Sequence, residues 1–170
     1  VELFYVVRFF CIPRICCFLF RVEWVLYVQQ WMRLYYNERI MNTLTVLYVC
    51  GLVGVADTLY LIYHKLRGTD VACLFFPKEW CRTVQYSPYS KTMGIPNSMA
   101  GFGMYVAILL LTWLYAGGSI SFWPIQAIVT FGFAFSMYFT WVQAFVLRAF
   151  CTWCVVSAIN FTVMFWAVWF

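Results

Sequence analysis

Charge is the scarcest property of this sequence. Only 10% of its 170 residues are Asp, Glu, Lys or Arg, against ~25% in an ordinary soluble domain. That shortage excludes a soluble fold, whose surface would have to be covered by something else. The net charge of +5 is small and scattered along the chain, which excludes a nucleic-acid footprint and predicts no nucleic-acid partner. Histidine occurs once, at His64, so no histidine-rich metal site can form. No internal repeat or low-complexity tract is present, and no ten-residue alternation of the β-barrel kind. What fills the space is apolar: 65% hydrophobic residues, 23% aromatic, and a mean hydropathy of +0.83. A compact domain of this length cannot bury that many large apolar side chains, so the excess must face lipid.

A helix crosses the ~30 Å hydrocarbon core with ~20 mostly apolar residues. Four runs qualify: Thr43–Tyr63 with a single charge at Asp57, and Ser98–Ala116, Ile120–Leu147 and Phe150–Phe170 with none. Backbone polar groups must be satisfied within each segment in lipid, so helices are the expected spanning form. The fold expected is all-α and integral to the membrane, a four-transmembrane-helix bundle. Gly117-Gly118-Ser119 makes a tight turn between the second and third spans, and Arg148 breaks the third from the fourth. His64–Asn97 is the only long polar stretch. The run from residue 43 is too long for a signal-peptide core and lacks a small-residue cleavage site after it.

Residues 1–40 read differently. Arg8, Arg14 and Arg21 interrupt an aromatic-rich stretch, and Pro13 would break a helix there. A central arginine costs ~2.5–3.5 kcal/mol on insertion scales. This extension is expected either to lie in the interface as an amphipathic segment or not to belong to the native protein, whose start would then be Met41. The second domain, 41–170, is the membrane bundle.

Counting crossings decides which segments meet. The loop 64–97 follows the first span and the turn 147–151 follows the third, so both lie on one membrane face. Cys73 and Cys81 therefore share a rim with Cys151 and Cys154. Cys151-Thr152-Trp153-Cys154 is a C-x-x-C, and at a helix start positions i and i+3 lie on one face. Such motifs lower a thiol pKa, and the thiolate is the attacking species in disulfide exchange. A second pair on a loop able to swing towards it suits an electron relay by successive exchange. Other readings compete. A structural zinc site usually wants two short C-x2–4-C hooks, but here seven residues separate one pair and no histidine lies near. Two static disulfides are also compatible with the spacing. Cys50, Cys11, Cys16 and Cys17 read as buried, inert thiols.

Three features, taken in order and spacing, are more specific than the C-x-x-C alone. They are a loop cysteine pair followed by Val84-x-x-Ser87-x-Tyr89-Ser90, then Gly94-Ile95-Pro96-Asn97-Ser98 opening the second span, then Phe150-Cys-x-x-Cys opening the last. With Asp57–Lys65 they make residues 42–170 resemble the vitamin K epoxide reductase family in its prokaryotic form. The resemblance implies a four-helix bundle around a quinone of ubiquinone or menaquinone type, covered by the long loop. It implies oxidation of a thioredoxin-like partner, reduction of the quinone, and support of disulfide formation outside the cytoplasm. Carried over by motif, Cys73 exchanges with the partner, Cys81 shuttles to Cys151, and Cys154 is the thiolate nearest the quinone. Asn97 would hydrogen-bond a quinone carbonyl, with Ser87 and Tyr89 also at the quinone site. Asp57 matches an acidic position without an assigned role. Many relatives carry a thioredoxin-like domain after the last helix. The chain has no polar tail before Phe170, so the partner is expected as a separate periplasmic or extracellular protein unless the sequence is truncated. Relatives with a tyrosine in the last helix have no counterpart here, where Val155-Val156-Ser157-Ala158 stands.

Blander roles remain open for these residues. Asn97 is a good helix N-cap, Ser87 and Ser90 are common turn residues, and Tyr89 and Tyr105 suit plain packing. Trp153 suits a headgroup anchor and Trp80 would dip the loop into the interface; His64 reads as a solvated interfacial residue. Disulfide chemistry needs an oxidising compartment, which places the cysteine face outside the cytoplasm of a prokaryotic plasma membrane. The charge pattern opposes this, with five Lys/Arg in the long loop and none in 117–119. Two alternatives stand beside the thiol oxidase. One is a quinone or quinone-epoxide reductase driven by external thiols; the other is a membrane module with structural cysteines.

Overall fold

The computed structural model describes the backbone of residues 13–92 and 94–170, and side chains from 27 onward except at 33, 36 and 93. Cys11 and the side chains of Cys16 and Cys17 lie outside these residues, as do those of Arg8, Arg14 and Arg21. The chain divides into two units, Val1–Asn42 and Thr43–Phe170. Helix α1 runs Pro13–Arg67, with Thr43 falling inside it. In the first unit Trp31 stacks on Tyr35 at 5.6 Å between centroids.

The second unit is the bundle. Its elements after α1 are α2 (Lys78–Tyr86), a 3₁₀ turn (Pro88–Ser90), β1 (Lys91–Thr92), β2 (Ile95–Pro96), α3 (Asn97–Ala116), α4 (Trp123–Trp141) and α5 (Thr152–Trp169). Among the described residues, four helical segments are long and apolar enough to cross a membrane: Tyr27–Arg67, Asn97–Ala116, Trp123–Leu147 and Thr152–Trp169. Large apolar side chains such as Leu52, Trp113, Phe131 and Trp166 are exposed on them, the outward surface that lipid covers. The protein is thus an integral membrane protein of mostly helical fold, with Cys73 and Cys81 in the loop between its first two spans.

Local chemistry sets the boundaries. Gly118 takes φ 72°, and Gly117, Gly118 and Ser119 return their N–H groups to carbonyls of the last turn of α3. The third span starts at Trp123, three residues later than its apolar run, with Pro124 in the first turn where no intrahelical donor is needed. Its C-terminal end, Val142–Leu147, is wound as a π-helix. Arg148 then adopts the left-handed conformation at φ 49° and turns the chain out.

The core lies where the helices face each other, around Leu47, Tyr105, Ile108, Ile125, Val129 and Phe161. Tyr105 stacks on Phe161 with centroids 4.7 Å apart. Two glycines make room for that pair: a Cβ on Gly54 would fall in the Tyr105 ring, and one on Gly132 in the Phe161 ring. A second buried cluster joins Val71, Cys81 and Val84 of the loop to Ala149 and Cys151 at the mouth of α5. The loop thus packs on the end of the bundle that span counting assigns to it.

Candidate functional site

The polar stretch after α1 is more ordered than a swinging loop. It contains α2, an amphipathic helix unforeseen in the sequence reading, whose buried residues are Cys81 and Val84, three apart. Its first part is pinned to the start of α5. Trp153 Nε1 donates to Ala72 O at 2.8 Å, Ala72 N donates to Tyr60 Oη at 3.1 Å, and Phe75 N donates to Thr152 Oγ1 at 3.3 Å. The Tyr60 and Trp153 rings meet at 4.5 Å. Trp153 therefore holds the loop rather than serving as a simple headgroup anchor. Trp80 stacks on Phe76, which stacks on Phe150. The exposed Arg82–Asp70 pair at 4.0 Å adds little. His64 Nδ1 pairs with Thr69 Oγ1 at 2.8 Å and its ring lies over Tyr60, so it is part of this packing and only partly solvated.

This pinning places the sulfurs. Cys73 and Cys81 are bonded to each other as a disulfide. Cys81 is 1% exposed, whereas Cys73 is only half-buried and its Sγ lies 3.7 Å from Thr152 Oγ1. Cys151 and Cys154 are free. Cys151, fully buried, belongs to the same cluster as Cys81. Cys154, one helical turn on, lines two adjoining cavities that also share Leu61, Ser98 and Phe139. The pair thus has two faces: Cys151 turns to the loop and Cys154 to the cleft.

Cys151 is held by hydrogen bonds at both its backbone and its sulfur. Its backbone N–H donates to the buried Gln143 Oε1 at 2.9 Å. Its thiol is lowered to about 7, chiefly by the hydrogen bond from Cys154; burial opposes the shift, and the N–H groups of Cys154 and Trp153 support it. The Gln85 amide stands beside the same sulfur, and its buried Nε2 has no hydrogen-bond partner among the described residues. Neither glutamine was anticipated. The available signal was their setting: an uncharged polar side chain in an apolar span, or facing one, is costly unless it is used.

Asn97 does not cap α3, whose first residue it is. Its Nδ2 donates to Tyr89 O at 2.8 Å and its Oδ1 accepts from Thr92 Oγ1 at 2.8 Å, so the side chain clamps the β1–β2 hairpin. One N–H of the amide has no partner among the described residues, and Asn97 lines the cleft with Cys154. Ser87 and Tyr89 are not among the residues lining either cavity. The Ser87 hydroxyl donates to Val84 O at 2.9 Å, and Tyr89 contributes its carbonyl to the clamp while its side chain is exposed. Ser90 lines the cavity instead. Tyr105 is buried, with its hydroxyl 2.8 Å from Ser157 Oγ, so it does more than pack.

The cleft suits a flat apolar ring bearing carbonyl acceptors. Leu61, Met104, Phe135 and Phe139 supply the apolar walls, and polar groups come from Asn97, Asp57, the Cys154 thiol and the hydroxyls of Thr58, Ser98, Ser136 and Ser157. Asp57 is 5% exposed and neither carboxyl oxygen has a hydrogen-bond partner among the described residues. An orphaned buried group beside a redox-capable sulfur is what a site for a polar-edged ring requires, so the residues present fit a quinone.

The profile described as the vitamin K epoxide reductase family matches residues 45–169. No curated protein matches the chain.

Proposed function

From the premise that this chain belongs to the vitamin K epoxide reductase family, whose members are quinone-linked thiol–disulfide oxidoreductases, we propose that it oxidises a thioredoxin-like partner and passes the electrons to a membrane quinone. It thereby supports disulfide formation outside the cytoplasm of a prokaryotic cell. The observation that supports this most is the burial of Cys81 and Cys151 in one cluster, with Cys73 on its outer side and Cys154 on its cleft side.

The order of exchange follows from exposure. A partner thiolate attacks Cys73, the more accessible sulfur, and breaks its bond to Cys81. The partner's second thiolate displaces Cys73, and the partner leaves oxidised. Cys81 then attacks Cys151 of a Cys151–Cys154 disulfide and releases Cys154 as thiolate. Cys73 displaces Cys151 and closes the loop disulfide again. Each step breaks one S–S bond and forms another, so the electron pair comes to rest on Cys151 and Cys154. Water is kept from the inner exchange by Val71, Val84 and Ala149.

A quinone of ubiquinone or menaquinone type, when bound, supplies a two-electron, two-proton acceptor. Asn97 would hold it through the second N–H of its amide, and Phe135 and Phe139 would wall its ring. Ser87 acts on the site through the backbone, by ending α2, and Tyr89 by its carbonyl on Asn97.

The test is quinone-dependent oxidation of a reduced thioredoxin-like protein by the purified chain in detergent. Cys151→Ala and Cys154→Ala each abolish quinone reduction. Cys73→Ala slows oxidation of the protein partner far more than that of a small dithiol. Full activity in Cys154→Ala ends this reading.

A further inference from the structure

Asp57 is an acidic side chain that the relay of sulfurs leaves unused, and its setting is unusual. It sits inside the first span, buried, and among the described residues neither oxygen has a partner at hydrogen-bond geometry. Buried polar groups are nearly always hydrogen-bonded. Ser157 stands next to it and is its nearest polar neighbour, with its hydroxyl also 2.8 Å from that of Tyr105. Thr58, the neighbouring residue, donates instead to Gly54 O at 2.7 Å. No group of three or more His, Cys, Asp and Glu side chains able to hold a metal ion occurs among the described residues, so a cation site does not explain it. What the carboxyl does share is a cleft with Cys154.

Resting on the function proposed above, we infer that Asp57 carries the proton that leaves Cys154 to the quinone oxygen. Oxidising the Cys151–Cys154 pair forms one S–S bond and releases two electrons and two protons. Quinone reduction consumes two of each. Cys154 leaves the loop exchange as a thiolate and is protonated in the dithiol state, as Cys73 and Cys81 give up their protons in closing their disulfide; when the Cys151–Cys154 bond re-forms, that proton is released inside the cleft, away from water. Asp57 accepts it as a carboxylate, donates it as a carboxylic acid, and ends as it began. The second proton is the one Cys151 discharges on the loop side, and it is replaced from the aqueous rim. A side chain with this task must not be locked into a bond within the protein, which accounts for two oxygens without a partner at hydrogen-bond geometry among the described residues.

The experiment uses the full chain in lipid nanodiscs. Without quinone, infrared difference spectra are taken between the dithiol and disulfide states of Cys151–Cys154. A carboxyl band that responds to the redox state is expected in the wild type and is lost in Asp57→Asn. The reduced protein is then mixed with a short-chain benzoquinone in a single turnover. Asp57→Asn slows the reaction by about 100-fold, the lower end of what a positioned acid–base group supplies, and Asp57→Glu recovers part of the rate. Its Tm does not fall, because no hydrogen bond is removed. A wild-type rate in Asp57→Asn overturns the inference, as does a silent carboxyl band in the wild type. A lowered Tm with equal loss in Asn and Glu variants marks a structural residue and overturns it too. A responding band in a wild type that reduces no quinone refutes the proposed function and leaves the Cys154-to-Asp57 step standing.

Discussion

At the scale of single residues, two cysteines one helical turn apart have been given different surroundings. Cys151 receives donors from Cys154 and from backbone N–H groups, while Cys154 faces an apolar cleft. Only the thiolate attacks or leaves efficiently, so reactivity rises as pH passes upward through the pKa. With its thiol lowered to about 7, Cys151 is about half thiolate at neutral pH, where a free cysteine of pKa ≈ 8.5 is a few per cent ionised. The rate of Cys151 alkylation in the protein with its Cys73–Cys81 bond intact is expected to inflect near pH 7. In Cys154→Ala the inflection moves up, because the largest of the lowering contacts is gone. An inflection unmoved by that substitution would show that Cys154 does not set the reactivity of its neighbour. The four sulfurs were legible in the sequence because span counting brings distant cysteines to one rim. Asn97 was legible as a site residue but not as a hairpin clamp, since its partners Tyr89 O and Thr92 are set by a two-residue ribbon with Gly94 at φ 84° in its turn. Gln85 and Gln143 carry no motif at all, and their use depends on where a loop helix and a π-turn place them.

At the scale of elements, the apolar runs located the last three spans to within a few residues, because lipid imposes both length and composition, whereas the run from Thr43 is part of a longer helix whose apolar segment begins at Tyr27. The irregular pieces were not legible. The π-segment Val142–Leu147 brings the Gln143 side chain to the N–H of Cys151, and hydrophobicity alone does not encode the winding of a helix. Gln143→Leu leaves that buried N–H without its acceptor, at a cost of about 1–3 kcal/mol. The expected result is a lowered Tm and slower transfer from the loop pair to Cys151, with partner oxidation by the first disulfide unchanged. Packing of the helices depends on the close approaches at Gly54 and Gly132, which admit the Tyr105–Phe161 pair. Gly132→Ala must displace a ring in a filled core, and overpacking of this kind costs ~1–3 kcal/mol. Gly103, with open space where its Cβ would stand, is the control: Gly103→Ala leaves Tm unchanged or raises it, as alanine favours a helix.

At the scale of the whole molecule, the orientation in the membrane sets two physical rules against each other. Lys65, Arg67, Lys78, Arg82 and Lys91 lie on the cysteine side of the bundle, and short loops rich in Lys and Arg are usually kept in the cytoplasm. Exchange at Cys73 and Cys81, on the other hand, has use as an oxidising relay only where disulfides persist, outside the reducing cytosol. The charge rule acts during insertion and compares the two sides; on the opposing side the turn Gly117–Phe122 carries no charge of either sign, and Arg33 and Arg39, ahead of the first apolar run, narrow the difference. The redox rule acts throughout the life of the protein and concerns its chemistry directly. The expected orientation therefore places α2 and the mouth of α5 outside. In intact bacterial cells expressing the chain, brief reduction followed by a membrane-impermeant maleimide should label Cys73, the half-buried member of the loop pair, before lysis. Cys81, at 1% exposed, should label much more slowly. Labelling of Cys73 only after lysis would reverse the orientation and leave the relay facing a compartment in which it could run only as a thiol-driven reductase.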